Sequence, residues 1–153
     1  MKIVIGSDHR GHSTTTHLAT MLETRGLEVE VLGSCGDQPC DYPEGAWNVG
    51  QAIRSGRADL GILICGTGIG MGIAANKIPG VRAAVVHDEL TAQLSRSHNN
   101  ANVLCLSADL LGERLIEKIV DVWLKTEFEG GRHARRVGKI AMIEEGKDPA
   151  SVT

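Results

Sequence analysis

Aromatic residues are scarce: two tryptophans, one tyrosine and one phenylalanine make up 3% of 153 residues. Bases need aromatic faces to stack on, so a single-strand nucleic-acid platform is excluded. A surplus of positive charge is also missing. The formal net charge is -3, which argues against general nucleic-acid binding. No apolar run reaches the roughly 20 residues of a membrane-crossing helix, so no membrane partner is expected. Met1-Lys2 leads straight into Ile3-Val4-Ile5, without the length or cleavage site of a secretory signal, and a cytoplasmic setting is expected.

The four cysteines, Cys35, Cys40, Cys65 and Cys105, contain no Cys-x-x-Cys pair, and the Cys35 to Cys40 gap matches no common zinc spacing. Cys35 and Cys40, in a Gly/Pro/Asp-containing loop, could pair in principle, but a reducing compartment favours free thiols. Cys105, inside Val103-Leu104-Cys105-Leu106, reads as a small buried hydrophobe.

What is present is an ordinary globular composition, 42% hydrophobic and 23% charged. The length suits one domain that buries about two-thirds of its unfolded surface. Residues 1–146 read as that domain and 147–153 as a flexible tail, frayed from Asp148. Short apolar runs predict strands over Lys2–Gly6, Glu28–Leu32, Leu60–Ile64, Val81–Val86 and Asn102–Leu106. Amphipathic stretches predict helices over Thr14–Arg25, Pro43–Ser55, Gly68–Asn76, Glu89–Ser97, Gly112–Lys125 and Gly131–Glu145. Strands without polar alternation, separated by helices, indicate a parallel sheet covered on both faces. The fold class is therefore α/β, a five-stranded doubly wound sandwich with right-handed crossovers. Sites in such folds lie beyond the carboxyl ends of the strands. That rule selects Ser7-Asp8-His9-Arg10, Cys65 to Gly70, His87-Asp88 and Ser107 to Asp109.

The strongest local feature is Cys65-Gly66-Thr67-Gly68-Ile69-Gly70-Met71-Gly72, four alternating glycines between a buried strand and a helix. Backbone N–H groups exposed there suit an anion or a developing oxyanion. A dinucleotide fingerprint needs Gly-x-Gly-x-x-Gly after a first strand, whereas here the third glycine comes a residue early. A purely structural tight turn is the remaining alternative. Cys65 enters this loop, where N–H groups that hold an oxyanion also favour a thiolate, provided the thiol is partly exposed. Standing alone, it would read as a buried strand-end cysteine.

Two more polar clusters stand out. In His98-Asn99-Asn100-Ala101-Asn102, three asparagines crowd a histidine able to move protons near neutral pH, although a lone histidine is more often a cap or surface residue. In Glu129-Gly130-Gly131-Arg132-His133-Ala134-Arg135-Arg136, Arg132 and Arg136 share a helix face and could grip one phosphate, although such clusters are usually solvated. Asp8-His9 and Asp41-Tyr42-Pro43 add acids, a histidine and a phenol. His12 and His17 read as helix-surface residues.

Taken in order, Gly6-Ser7-Asp8-His9, Asp41-Tyr42-Pro43, Cys65 to Gly70, Ala74-Ala75-Asn76-Lys77, Ser95 to Asn99 and Glu129-Gly130-Gly131-Arg132-His133-x-x-Arg136 closely resemble the ribose-5-phosphate isomerase B family, which also includes galactose- and allose-6-phosphate isomerases. The likeness runs in register from Lys2 to about Glu144. It implies a Rossmann-like three-layer fold, a C-terminal helix extending toward a partner, a homodimer sometimes paired into tetramers, a site between subunits, and no metal or organic cofactor. It implies an aldose–ketose isomerase acting on ribose 5-phosphate, with a hexose 6-phosphate as the alternative. A non-catalytic sugar-phosphate module is a further reading, and a thiol redox protein is disfavoured because no resolving cysteine lies near Cys65 in sequence.

Position by position, the resemblance makes Cys65 the base, since a second subgroup places a glutamate where this chain has Met71. His98, assisted by Asp8, would open the sugar ring. Thr67 and the Gly66, Gly68 and Gly70 amides would hold the enediolate. His9, Arg132 and Arg136 would bind phosphate, and Tyr42 and Asn99 would contact sugar or phosphate. Many relatives carry an arginine where this chain has Asp109, so either Asp109 turns away or the phosphate sits differently.

Overall fold

A computed structural model describes residues 1–33, 35, 36 and 38–151. Five strands form one sheet: β1 (Lys2–Ser7), β2 (Glu28–Val31), β3 (Leu60–Cys65), β4 (Ala83–Val85) and β5 (Val103–Ser107). All pairings are parallel, in the order β2-β1-β3-β5-β4. Six α-helices alternate with or follow them: α1 (His12–Thr24), α2 (Tyr42–Arg54), α3 (Ile69–Ala75), α4 (Glu89–Ser97), α5 (Glu113–Lys125) and α6 (Arg132–Glu144). The α/β sandwich expected from the alternation of apolar runs is therefore observed.

The pleat sends alternate side chains to opposite layers. Ile3, Ile5, Ile62, Ile64, Leu104 and Leu106 pack with Leu18 and Leu22 of α1, Ala92 of α4 and Ile116, Ile119, Val120 and Trp123 of α5. Val4, Leu63, Cys65, Val103 and Cys105 face the other way, onto Ala46 and Val49 of α2 and Met71 and Ala75 of α3. Each fully buried branched aliphatic side chain contributes roughly 1.5–3 kcal/mol. Cys105 is one of these core residues, and burial pushes its thiol pKa up.

Two expectations change. Cys35 and Cys40 are not free thiols: a disulfide joins them. The chain turns at Gly36, φ 58°, and brings the two Cα atoms to 6.1 Å, within the span a bridge requires. Strand β4 is shorter than its apolar run, and at its amino end Arg82 gives its N–H to the Asn102 side chain instead of extending the ladder. Within the segment expected to be a tail, Pro149–Ser151 form a short exposed 3-10 turn; Val152 and Thr153 lie outside the described residues. Helix α6 differs from the others in burying His133 alone, while Ile140 and Ile143 stay exposed. Among the described residues no helix is long and apolar enough to cross a membrane.

Candidate active site

The loops after β1, β3 and β5 meet because these strands are neighbours in the sheet. Asp8 N–H donates to Ile64 O, Ala108 N–H to Cys65 O and Asp109 N–H to Gly66 O, so the three chain ends are laced together. Asp8 is buried, and its Oδ1 accepts the N–H groups of Arg10 and Gly11 at 2.9 and 3.1 Å. His9 is exposed, its Nδ1 3.4 Å from the Cys40 backbone. His9 also lines a cleft of 410 Å³ with Pro39, Cys40, Asp41 and Glu44.

Cys65 closes β3, and its Sγ accepts the Gly68 N–H at 3.1 Å. The residue is buried, 4% exposed, because the pleat aims its side chain at the α2–α3 layer, so the partial exposure that a thiolate would favour is not observed. Gly68 sits at φ 77°, the left-handed region, and delivers its N–H to sulfur while starting α3. A Cβ on Gly70 would lie 2.6 Å from the Tyr42 ring, so the phenol rests directly on the loop. Thr67 is exposed, with its Oγ1 accepting the Ile69 N–H. Met71, at the alternative base position, is wholly buried against α2 and serves the core.

Asp109 neither turns away nor stands bare. Arg10 clasps it, with Nε donating to Oδ2 at 2.8 Å and to Oδ1 at 3.1 Å, and Nη2 donating to Oδ1 at 2.8 Å. His87 is exposed at a strand end, and Asp88 caps α4 by accepting the Thr91 N–H, which holds its carboxyl below the usual range.

The remaining candidates form a second group elsewhere. His98 closes α4, and the chain passes through Asn102 to the start of β5. Its ring stacks on the buried His133, and Glu129 Oε atoms lie 3.9 Å from His98 Nε2 and 3.6 Å from His133 Nε2. Arg132 Nε donates to His133 Nε2 at 3.3 Å. Arg132 and Arg136 are exposed on the first turns of α6. Ligand atoms of His98, Glu129 and His133 lie within 4.8 Å of one another. Asn99 is exposed and lines a cavity of 610 Å³ along α6 with Arg82, Ile140, Ile143 and Glu144.

The other two asparagines are structural. Asn100 adopts φ 47° and accepts Arg82 Nε and Arg96 Nη1, whereas Asn102 bridges Arg82 and Gly80. Asn76 likewise ties α3 to β4 through both side-chain atoms. His17 is more than a surface residue: its Nε2 meets Glu117 Oε1 at 2.7 Å and joins α1 to α5. Sequence reasoning missed His133 as a site residue. Its place one step after Arg132 turns it inward, which helical phase alone signals.

Within one chain the two groups stand apart. Gly61 N–H donates to Asn102 O, so the His98 group lies at the amino end of β3, whereas Cys65 lies at its carboxyl end. Four residue steps along the strand separate Gly61 from Cys65, about 13 Å. Neither the 410 Å³ cleft nor the 610 Å³ cavity is lined by Cys65.

The profile of the family described as Ribose/Galactose Isomerase matches residues 3–140. Ribose-5-phosphate isomerase B of Escherichia coli is 44% identical over 147 residues, 96% of this chain and 99% of that one. Among solved structures, Clostridium thermocellum ribose-5-phosphate isomerase B superposes with a TM-score of 0.94 at 51% identity, covering 95% of this chain and 99% of the other. The Mycoplasma genitalium enzyme, solved with bound ribulose-5-phosphate, gives 0.90 at 46% identity, with 94% and 96% covered. With the family profile matching residues 3–140 and relatives alike in sequence and structure over nearly the whole length, this chain belongs to the ribose/galactose isomerase family.

Proposed function

We propose that this chain interconverts ribose 5-phosphate and ribulose 5-phosphate through a cis-enediolate. The observation that carries the reading is the likeness to ribose-5-phosphate isomerase B proteins, one solved with the ketose product bound. His98, assisted by Asp8, opens the furanose. Cys65 takes the C2 proton of the open-chain aldose and a proton returns at C1. The enediolate oxygen is held by Thr67 and the Gly66, Gly68 and Gly70 amides; losing one such donor typically costs on the order of 10²–10³ in rate. His9, Arg132 and Arg136 bind phosphate, while Tyr42 and Asn99 contact the sugar end. No metal or organic cofactor takes part.

The active unit in this reading is a homodimer, in which the Cys65 group of one copy meets the His98–Arg136 group of the other. Two features support it: the separation of these groups in one chain, and the exposure of Trp47, Ile69 and Ile73 on the helices beside the Cys65 loop. Residues 1–146 form the single catalytic domain, with 147–153 as a tail, and the enzyme works in the cytoplasm.

The deciding experiment incubates ribose 5-phosphate with the protein in D₂O. Solvent deuterium at C1 of the ribulose 5-phosphate formed, and at C2 of the ribose 5-phosphate recovered, is expected; binding without exchange would leave a sugar-phosphate-binding module. Because the family is described for galactose as well as ribose, kcat/KM is measured beside allose and galactose 6-phosphates. A preference for either hexose would transfer the assignment to it.

A further inference from the structure

The Arg10–Asp109 pair spans the mouth of the Cys65 loop. Arg10 follows β1, Asp109 follows β5, and β3 lies between those strands. A Cβ added to Gly66 would stand 2.8 Å from Asp109 Oδ2 and 3.4 Å from Arg10 Cδ and Nε. The guanidinium is therefore laid across the first glycine of the loop, a placement that needs the absence of a side chain at residue 66. Both side chains are substantially open to water, 56% and 36% exposed. An ion pair this open contributes little to stability, about 0–1 kcal/mol. Its fork-to-fork geometry does something else: it fixes a long side chain in one orientation before any ligand arrives. Nη1 takes no part in that grip.

The surroundings make a cation at this place consequential. His9 shares its cleft with Asp41 and Glu44, and Asp8 lies one residue away. Carboxylates this near would by themselves repel a phosphate dianion. Within this group Arg10 brings a permanent positive charge, and Asp109 uses two of its nitrogens while leaving a third to donate.

We propose that Arg10 is a phosphate-binding residue of the site on the Cys65 side, and that Asp109 is the positioning residue that holds its guanidinium over Gly66. The inference rests on the sugar-phosphate reading above and adds a cation from the Cys65 side to the arginines of α6. Asp109 thus acts through Arg10, despite carrying the sign of charge that phosphate avoids.

The test compares wild type, Arg10→Ala, Asp109→Ala and the double variant in two assays. Isomerisation of ribose 5-phosphate gives kcat and KM, and direct titration with inorganic phosphate gives Kd without turnover. Loss of a charge-assisted contact should raise both KM and phosphate Kd about tenfold or more in Arg10→Ala, with kcat within about twofold. The double variant should bind phosphate better than Arg10→Ala, because the orphaned carboxylate is gone. Asp109→Ala should raise KM less than Arg10→Ala does, and added guanidinium should lower KM in Arg10→Ala alone. Wild-type phosphate Kd in Arg10→Ala, or a fall in kcat with Kd unchanged, would overturn the proposal and leave the pair a structural latch. Wild-type protein that binds phosphate but does not isomerise would sink the isomerase reading while this comparison still stands.

Discussion

The imidazoles of His98 and His133 lie face to face, centroids 4.1 Å apart and planes 8° from parallel. Two stacked rings at that distance cannot both carry charge cheaply. Burial, with the His98 and Arg132 charges beside it, pushes the His133 pKa below its ordinary value, Glu129 opposing. The unfolded chain takes up its proton near the usual imidazole value of about 6.5, and the folded chain takes it up only at lower pH. Stability from His133 is therefore complete above that value and is lost as pH falls toward the folded pKa. Melting temperatures measured across pH 5 to 8 should decline on the acid side, and His133→Gln should flatten that decline.

Replacing Cys65 by alanine should cost on the order of 10²–10⁴ in kcat, the usual span for a positioned general base. Circular dichroism should stay that of wild type, since the side chain lost is small. An alanine variant that keeps wild-type kcat and C2 exchange removes Cys65 from the mechanism.

Arg136→Ala should raise KM for ribose 5-phosphate about tenfold, the loss of one charge-assisted phosphate contact, with kcat little changed. A drop confined to kcat would mean that Arg136 touches the reacting carbons or holds the fold instead.

At Gly68 the backbone is left-handed, and a Cβ would lie 3.1 Å from the Leu106 carbonyl. Gly68→Ala should cost roughly 1–2 kcal/mol of stability. Activity should fall further than stability alone explains, because the shifted N–H no longer reaches Cys65 Sγ. Urea melts read beside kcat at a temperature where both proteins are folded separate the two effects.

If two copies share each site, Cys65→Ala and His98→Ala should rescue one another. Random reassociation of equal amounts gives about a quarter of wild-type activity, since half the dimers are mixed and each holds one intact site. No recovery after unfolding and refolding the mixture would confine each site to one chain.

The strands and the loop at Cys65 were legible because continuous apolar runs and alternating glycines are local signals. Asn100 and Asn102 misled for a physical reason: asparagine is equally suited to ligand contacts and to left-handed turns. The Arg10–Asp109 clasp joins residues 99 positions apart, and nothing in either neighbourhood announces the other. The Cys35–Cys40 bridge was hidden because its formation depends on a turn at Gly36, not on spacing.

The sheet that separates Cys65 from the His98 group also acts as a ruler. In a two-fold assembly the length of β3 and β5 sets how far apart the two catalytic centres stand and where each half meets its counterpart. A single residue inserted into β5 would slide one half past the other by about 3.3 Å and turn the inserted segment's side chains to the opposite layer. Such a change would silence both centres at once without altering any group that touches the sugar.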